Sequence, residues 1–155
     1  MTVAVVPAAT YEIVDAAAQG GTTVALDNYE RRCDFSEVTE AAWMPRPPEG
    51  TGSALISASG SRAVAQVHVT IPDEPGAHYG VGLIQEPRPS SATCGPGDPG
   101  TAFTGMDTDG AGNATVTVQD AIRPGTTGVW VIVERANPNS QNPAEFYTSE
   151  FLVPT

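Results

Sequence analysis

From residue 53 onward, apolar and polar side chains alternate, and short clusters of Gly, Pro, Asp and Asn interrupt the alternation. The clearest stretch covers residues 62–71. Ala63, Ala65, Val67, Val69 and Ile71 fall on one face, and Val64, Gln66, His68 and Thr70 on the other. Successive side chains leave a strand on opposite sides, so a period of two predicts a half-buried strand. The same reading predicts strands over 22–26, 53–59, 79–85, 103–106 and 114–118. Residues 128–134 are apolar on both faces, which places them centrally in a sheet. Residues 146–153 read as the last strand, stopped by Pro154.

The interruptions are turn chemistry. Gly60-Ser61, the run from Pro72 to Gly76, and Arg123-Pro124-Gly125 supply residues that bend the backbone. Residues 107–113 (DTDGAGN) lie between two strand patterns and predict a β-hairpin. Residues 36–52 hold Trp43 among several prolines and glycines and read as a long loop. Residues 1–20 are open to three readings. Thr10 could cap a short helix that Gly20 stops, the Val3–Val6 run could be a strand, or the segment is an arm.

Seven to nine short strands separated by turns predict an all-β fold. The expectation is an immunoglobulin-like antiparallel β-sandwich over 21–155, preceded by an N-terminal arm or short helix over 1–20. A closed barrel shares the same pattern. Length fits one domain, since the chain has 155 residues. With 16 Gly and 14 Pro, the composition suits strands joined by many turns rather than helices.

Charge narrows the function classes. The net charge is −11, and all seven cationic residues are arginine. A phosphate backbone would be repelled, which argues against nucleic-acid binding. The absence of lysine excludes Schiff-base and P-loop chemistry. It also suggests, with the excess of Ala, Gly, Thr and Pro, a high-GC bacterial genome. Cys33 and Cys94 are expected to form one disulfide in an oxidising compartment. The Thr2–Val6 run is too short for a signal h-region and lacks a basic flank, so export would mean a processed form or an unusual route. No apolar run is long enough for a spanning helix.

Candidate chemistry is sparse. Asp107, Asp109 and Asn113 carry oxygen ligands in the spacing of a calcium loop, but the same residues suit a turn. His68 and His78 are the only histidines and lack a cysteine or carboxylate at zinc-ligand spacing, while the plentiful serines leave a Ser–His–Asp triad open although no GxSxG motif is present. Arg31 and Arg32 could clamp an anion, or belong to a solvated charged loop. Trp43, Met44 and Arg46 form the candidate partner-binding group, because exposed aromatic and Arg side chains dominate interfaces.

The segment Thr108-Asp109-Gly110-Ala111-Gly112-Asn113-Ala114-Thr115-Val116-Thr117-Val118 resembles the TD-x-x-G-x-A-x-V-x-V hairpin of bacterial immunoglobulin-like domains such as those of invasin-type adhesins. The stretch 79–85, Cys94, residues 128–135 and residues 145–151 together resemble small exported actinobacterial proteins. These resemblances imply a sandwich and an envelope location, and no catalytic residue. The expected function is therefore a non-enzymatic secreted or cell-envelope module, without cofactor, that binds a protein or glycan. The alternatives are a virion decoration or tail accessory protein and, more remotely, a hydrolase on a sandwich scaffold.

Overall fold

The structure is a computed structural model describing residues 21–27, 31–37, 50–72, 74–89, 91–135 and 145–155. The expected arm or helix over 1–20, and the loop bearing Trp43, Met44 and Arg46, lie outside the described residues. Nine antiparallel strands make up the regular structure: β1 (Thr22–Asp27), β2 (Thr51–Ser59), β3 (Arg62–Thr70), β4 (His78–Glu86), β5 (Thr101–Asp107), β6 (Asn113–Ala121), β7 (Gly128–Arg135), β8 (Glu145–Ser149) and β9 (Val153–Pro154). No helix occurs among the described residues.

The strands form one sheet in the order β5-β4-β7-β8-β1-β2-β3-β6, with β9 beside β7. The expected all-β fold is present, and where two separate sheets were expected the strands run as one continuous sheet curled into a nearly closed, barrel-like form. Strand pairing joins its two halves at Leu26↔Ser149 and Asp27↔Thr148. The remaining gap lies between β5 and β6, which head the two ends of the strand order. A second correction concerns residues 107–113. They do not close a paired hairpin: β5 pairs with β4, and β6 with β3. The turn instead carries the chain from one half to the other.

That crossing is pinned to the β3–β4 loop. Thr108 is buried; its hydroxyl donates to the Glu74 carbonyl and accepts from the Ala77 N–H. Gly112 has φ +83°, and a Cβ on it would lie 2.1 Å from the Ile71 carbonyl oxygen. Only glycine fits a left-handed turn pressed against another backbone. At the far end, the Gln85 side chain closes the barrel mouth. Its amide donates to Asp120 and the Ala121 carbonyl and accepts from Arg123 N–H and the Thr126 hydroxyl.

The alternation seen in the sequence decides what is inside. Ala63, Ala65, Val67 and Val69 of β3 are fully buried, and Ile71 nearly so, while His68 is exposed. Tyr79, Val81 and Leu83 of β4 and Val129, Val131 and Val133 of β7 meet them in one continuous core. The last expected strand is split. Ile132 pairs with Thr148 but Val129 with Val153, so Glu150–Leu152 bulge outward. The Ser149 hydroxyl accepts from the Val131 N–H across that bulge.

Val67→Ala should destabilise the domain by about 2 kcal/mol, the order expected when a buried branched side chain is truncated. His68→Ala, one residue along, should stay within about 0.5 kcal/mol of the natural chain. Urea unfolding of both variants measures the contrast, and equal effects would show that β3 is not half-buried.

Candidate functional site

β4 and β7 are apolar on both faces. Their odd-numbered residues fill the barrel, whereas Ile84 and Trp130, both fully buried, point to the outside of the sheet. Trp130, fully buried, therefore belongs to an outer layer and not to the barrel interior. Something must cover it, because an exposed apolar sheet face is costly in water. The cover is a tight bend over residues 31–37.

This bend is held from several directions. The Arg31↔Glu37 bridge closes its base, and Phe35 N–H donates to the Arg32 carbonyl. Phe35 has φ +78°, an unfavourable region for a bulky side chain. The twist sets its ring edge-on against Trp130, with centroids 5.3 Å apart. Arg31 stacks over the Phe35 ring at 4.0 Å, and its Nε donates to the Thr148 hydroxyl. The guanidinium is thus spent on internal contacts, and the anion-clamp reading of Arg31 gives way to a structural role. Arg32 donates to the Glu37 carbonyl. Ser36 donates its hydroxyl and its N–H to Asp34, holding that carboxyl below its ordinary range.

The Cys33–Cys94 disulfide fastens the bend to the β4–β5 loop, as the cysteine count suggested. Beneath it the Trp130 indole N–H donates to Glu86 at 2.8 Å in a buried setting. Burial pushes the Glu86 carboxyl up, more than the Trp130 hydrogen bond and the nearby Arg88 charge pull it down.

Beside this covered patch the outer face opens into a cavity of about 370 Å³. Ile84, Phe103, Ile132 and Phe146 give it an apolar floor, the disulfide forms one wall, and Glu134 and Thr148 stand at its polar side. Phe103 lies directly over Gly82; a Cβ there would fall 2.5 Å from its ring. Burial raises the Glu134 carboxyl above its usual value. A space of this size admits one large side chain or a small ligand.

The candidates picked from sequence sit elsewhere. Asp109 accepts from the N–H groups of Asn113 and Ala111, which holds its carboxyl low. Asp107 accepts from His78, and Asn113 from the Thr70 hydroxyl. The three oxygen donors serve separate local bonds, so the turn reading accounts for them. Among the described residues no group of three or more His, Cys, Asp or Glu converges as a metal site. His68 bonds Thr115 on an exposed face. Phe35, Phe103, Ile132, Glu134 and Phe146 were not singled out beforehand. The available signal was the doubly apolar β7 together with Gly82 inside β4.

No protein-family model, curated protein or solved structure matches the chain.

Reducing the disulfide should cost about 4 kcal/mol of stability, given the loop it closes. In a Trp43→Phe background, Trp130 emission should shift to the red as its cover loosens; unchanged emission and an unchanged unfolding midpoint would refute the clasp. A second outcome concerns pH. A carboxyl raised in the folded state favours folding in acid and withdraws that support as pH climbs past its folded value. Glu86→Gln keeps an acceptor for Trp130 and removes the titration. Its stability relative to the natural chain should therefore improve from pH 4 to pH 8, as read by thermal unfolding across that range.

Proposed function

We propose that this chain is a non-enzymatic binding domain of immunoglobulin-like type, secreted or held in the cell envelope, that takes an apolar side chain of a protein partner on the outer face of β4, β7 and β8. The observation that carries this reading is the contrast between the two outer faces. Outside β3 and β6 the side chains are mostly polar, with Gln66, His68, Thr115, Thr117 and Gln119 beside the buried Val64, as expected where a sheet largely faces water. Outside β4, β5, β7 and β8 they are Ile84, Phe103, Ile132 and Phe146, arranged around an open cavity. Apolar surface kept concave and next to polar groups is the usual form of a recognition site.

Chemistry favours a protein over a sugar. Hydroxyl groups buried without acceptors are costly, and four apolar side chains on the floor offer none. Glu134 and Thr148 at the margin can orient a donor carried by the partner. The immunoglobulin-like reading draws support from the strand order. β3 neighbours β6 in one half and β4 neighbours β7 in the other, which is the Greek-key crossing used by that class of sandwich. The disulfide supports an oxidising compartment.

The natural chain and Ile132→Asp should be compared for binding to immobilised panels of secreted and cell-surface proteins and of glycans. A protein should bind the natural chain and lose about tenfold or more in affinity on Ile132→Asp, the loss expected of an anchor contact. A partner that ignores the substitution, binding to glycans alone, or chemical turnover of the bound molecule would each overturn the proposal.

A further inference from the structure

On the outer face, cross-strand pairing lines up Phe146, Glu134, Gly80 and Gly105 in one row across β8, β7, β4 and β5. The row beside it reads Thr148, Ile132, Gly82 and Phe103. The glycines of these rows differ in what covers them. Phe103 lies over Gly82, and the His78 ring lies over Gly105, where a Cβ would fall 2.8 Å from its Cε1. Above Gly80 the space is open: a Cβ there would meet nothing closer than the Glu134 carbonyl oxygen, at 4.0 Å. Glycine inside a strand marks a place that something else approaches closely. Here it leaves a recess of bare backbone beside Glu134, adjoining the cavity that Phe103, Ile132 and Phe146 line.

The Glu134 carboxyl is the charged group of this recess. Among the described residues it makes no hydrogen bond or ion pair. Burial raises it, and no neighbouring cation pulls it down. The arginines nearest in the fold are engaged. Arg31, which also lines the cavity, has a side chain only 6% exposed, bonded to Thr148 and the Phe35 carbonyl and paired with Glu37. Arg135 follows Glu134 in the strand, so it leaves the sheet on the other side, where it meets Glu74. His78 is paired with Asp107. The chain has no lysine, and Arg46 alone of its seven arginines lies outside the described residues.

A half-buried carboxylate between aromatic rings, with no cation of its own, is complementary to a cation from outside. The charge pairs with the carboxylate, and the rings of Phe103 and Phe146 add their own attraction. We infer that the protein partner presents a lysine or arginine beside its apolar anchor, and that this cation is seated over Gly80 against Glu134. The inference rests on the outer-face reading given above and adds the chemistry of the partner: a basic residue adjoining an apolar one. A domain of net charge −11 also draws such a segment toward it.

The full chain should be titrated with three capped dipeptides, acetyl-leucyl-lysine amide, acetyl-leucyl-norleucine amide and acetyl-leucyl-glutamate amide, followed by backbone amide shifts. The lysine peptide should bind saturably, with shifts at Gly80, Phe103 and Glu134, and about tenfold tighter than the norleucine peptide, the scale of a hydrogen bond to a charged group. The glutamate peptide should bind weakest. Glu134→Gln should erase the preference for lysine and leave the norleucine peptide unchanged. Glu150→Gln, which removes an exposed carboxylate on the bulge between β8 and β9, should alter neither affinity. Equal binding of the lysine and norleucine peptides, both lost on Ile132→Ser, would overturn this inference and spare the outer-face reading. Lysine-peptide binding that is lost on Glu134→Gln but ignores Ile132→Ser would uphold the cation seat and remove the apolar anchor. No saturable binding of the lysine peptide, or equal weakening by Glu150→Gln, would overturn the inference. So would binding that appears only after Arg46→Gln, which would assign the seat to the chain's own arginine.

Discussion

A sheet that is apolar on both faces has to be covered twice, and most of this structure follows from that constraint. The inner face of β4 and β7 is covered by β1, β2, β3 and β6, which bring Val24, Ile56, Val67 and Val69 against Val81, Leu83, Val131 and Val133. Among the described residues the outer face has no second sheet. A seven-residue bend with little regular structure performs that task over Trp130. Such a segment cannot bury enough surface to stay in place unaided. The disulfide, the Arg31 contacts with β8 and the Phe35–Trp130 pair supply what a hydrogen-bonded strand would otherwise provide.

Among the described residues the cover is incomplete, and the cavity is what remains open. Its position beside the clasp couples the two features physically. Cys33 and Cys94 line the cavity and also fix the bend, so any movement of the bend changes the cavity's wall. Glu86 and Glu134, both raised by burial, stand on this same face. Among the described residues neither forms an ion pair, whereas Arg31 meets Glu37 and Arg135 meets Glu74. Arg31 and Arg88 each use the planar guanidinium to hold several partners at once.

Polar side chains carry the closure of the barrel. Thr108 ties the crossing between halves to the β3–β4 loop, and Gln85 ties β4 to the start of the β6–β7 turn. Each is buried and fully used, as a polar group withdrawn from water must be. The β5–β6 gap lies between these two fastenings.

The strands of residues 53–135 were legible in the sequence because alternation reports directly on which side chains leave water; β3 follows it from Ala65 to Val69, while Val64, on the outer face, is buried as well. The disulfide followed from having two cysteines and no other use for them. Turn chemistry located the bend at 107–113 but could not say whether it joined paired strands, since Asp, Gly and Asn suit a hairpin and a crossing equally. That choice depended on Gly112 meeting Ile71, residues brought together only by the fold. Likewise the sequence marked β7 as apolar on both faces without showing what would cover the second one. The bend, the cavity and the recess beside Glu134 each join residues far apart in the chain, and local pattern holds no information about contacts that exist only once the sheet has curled.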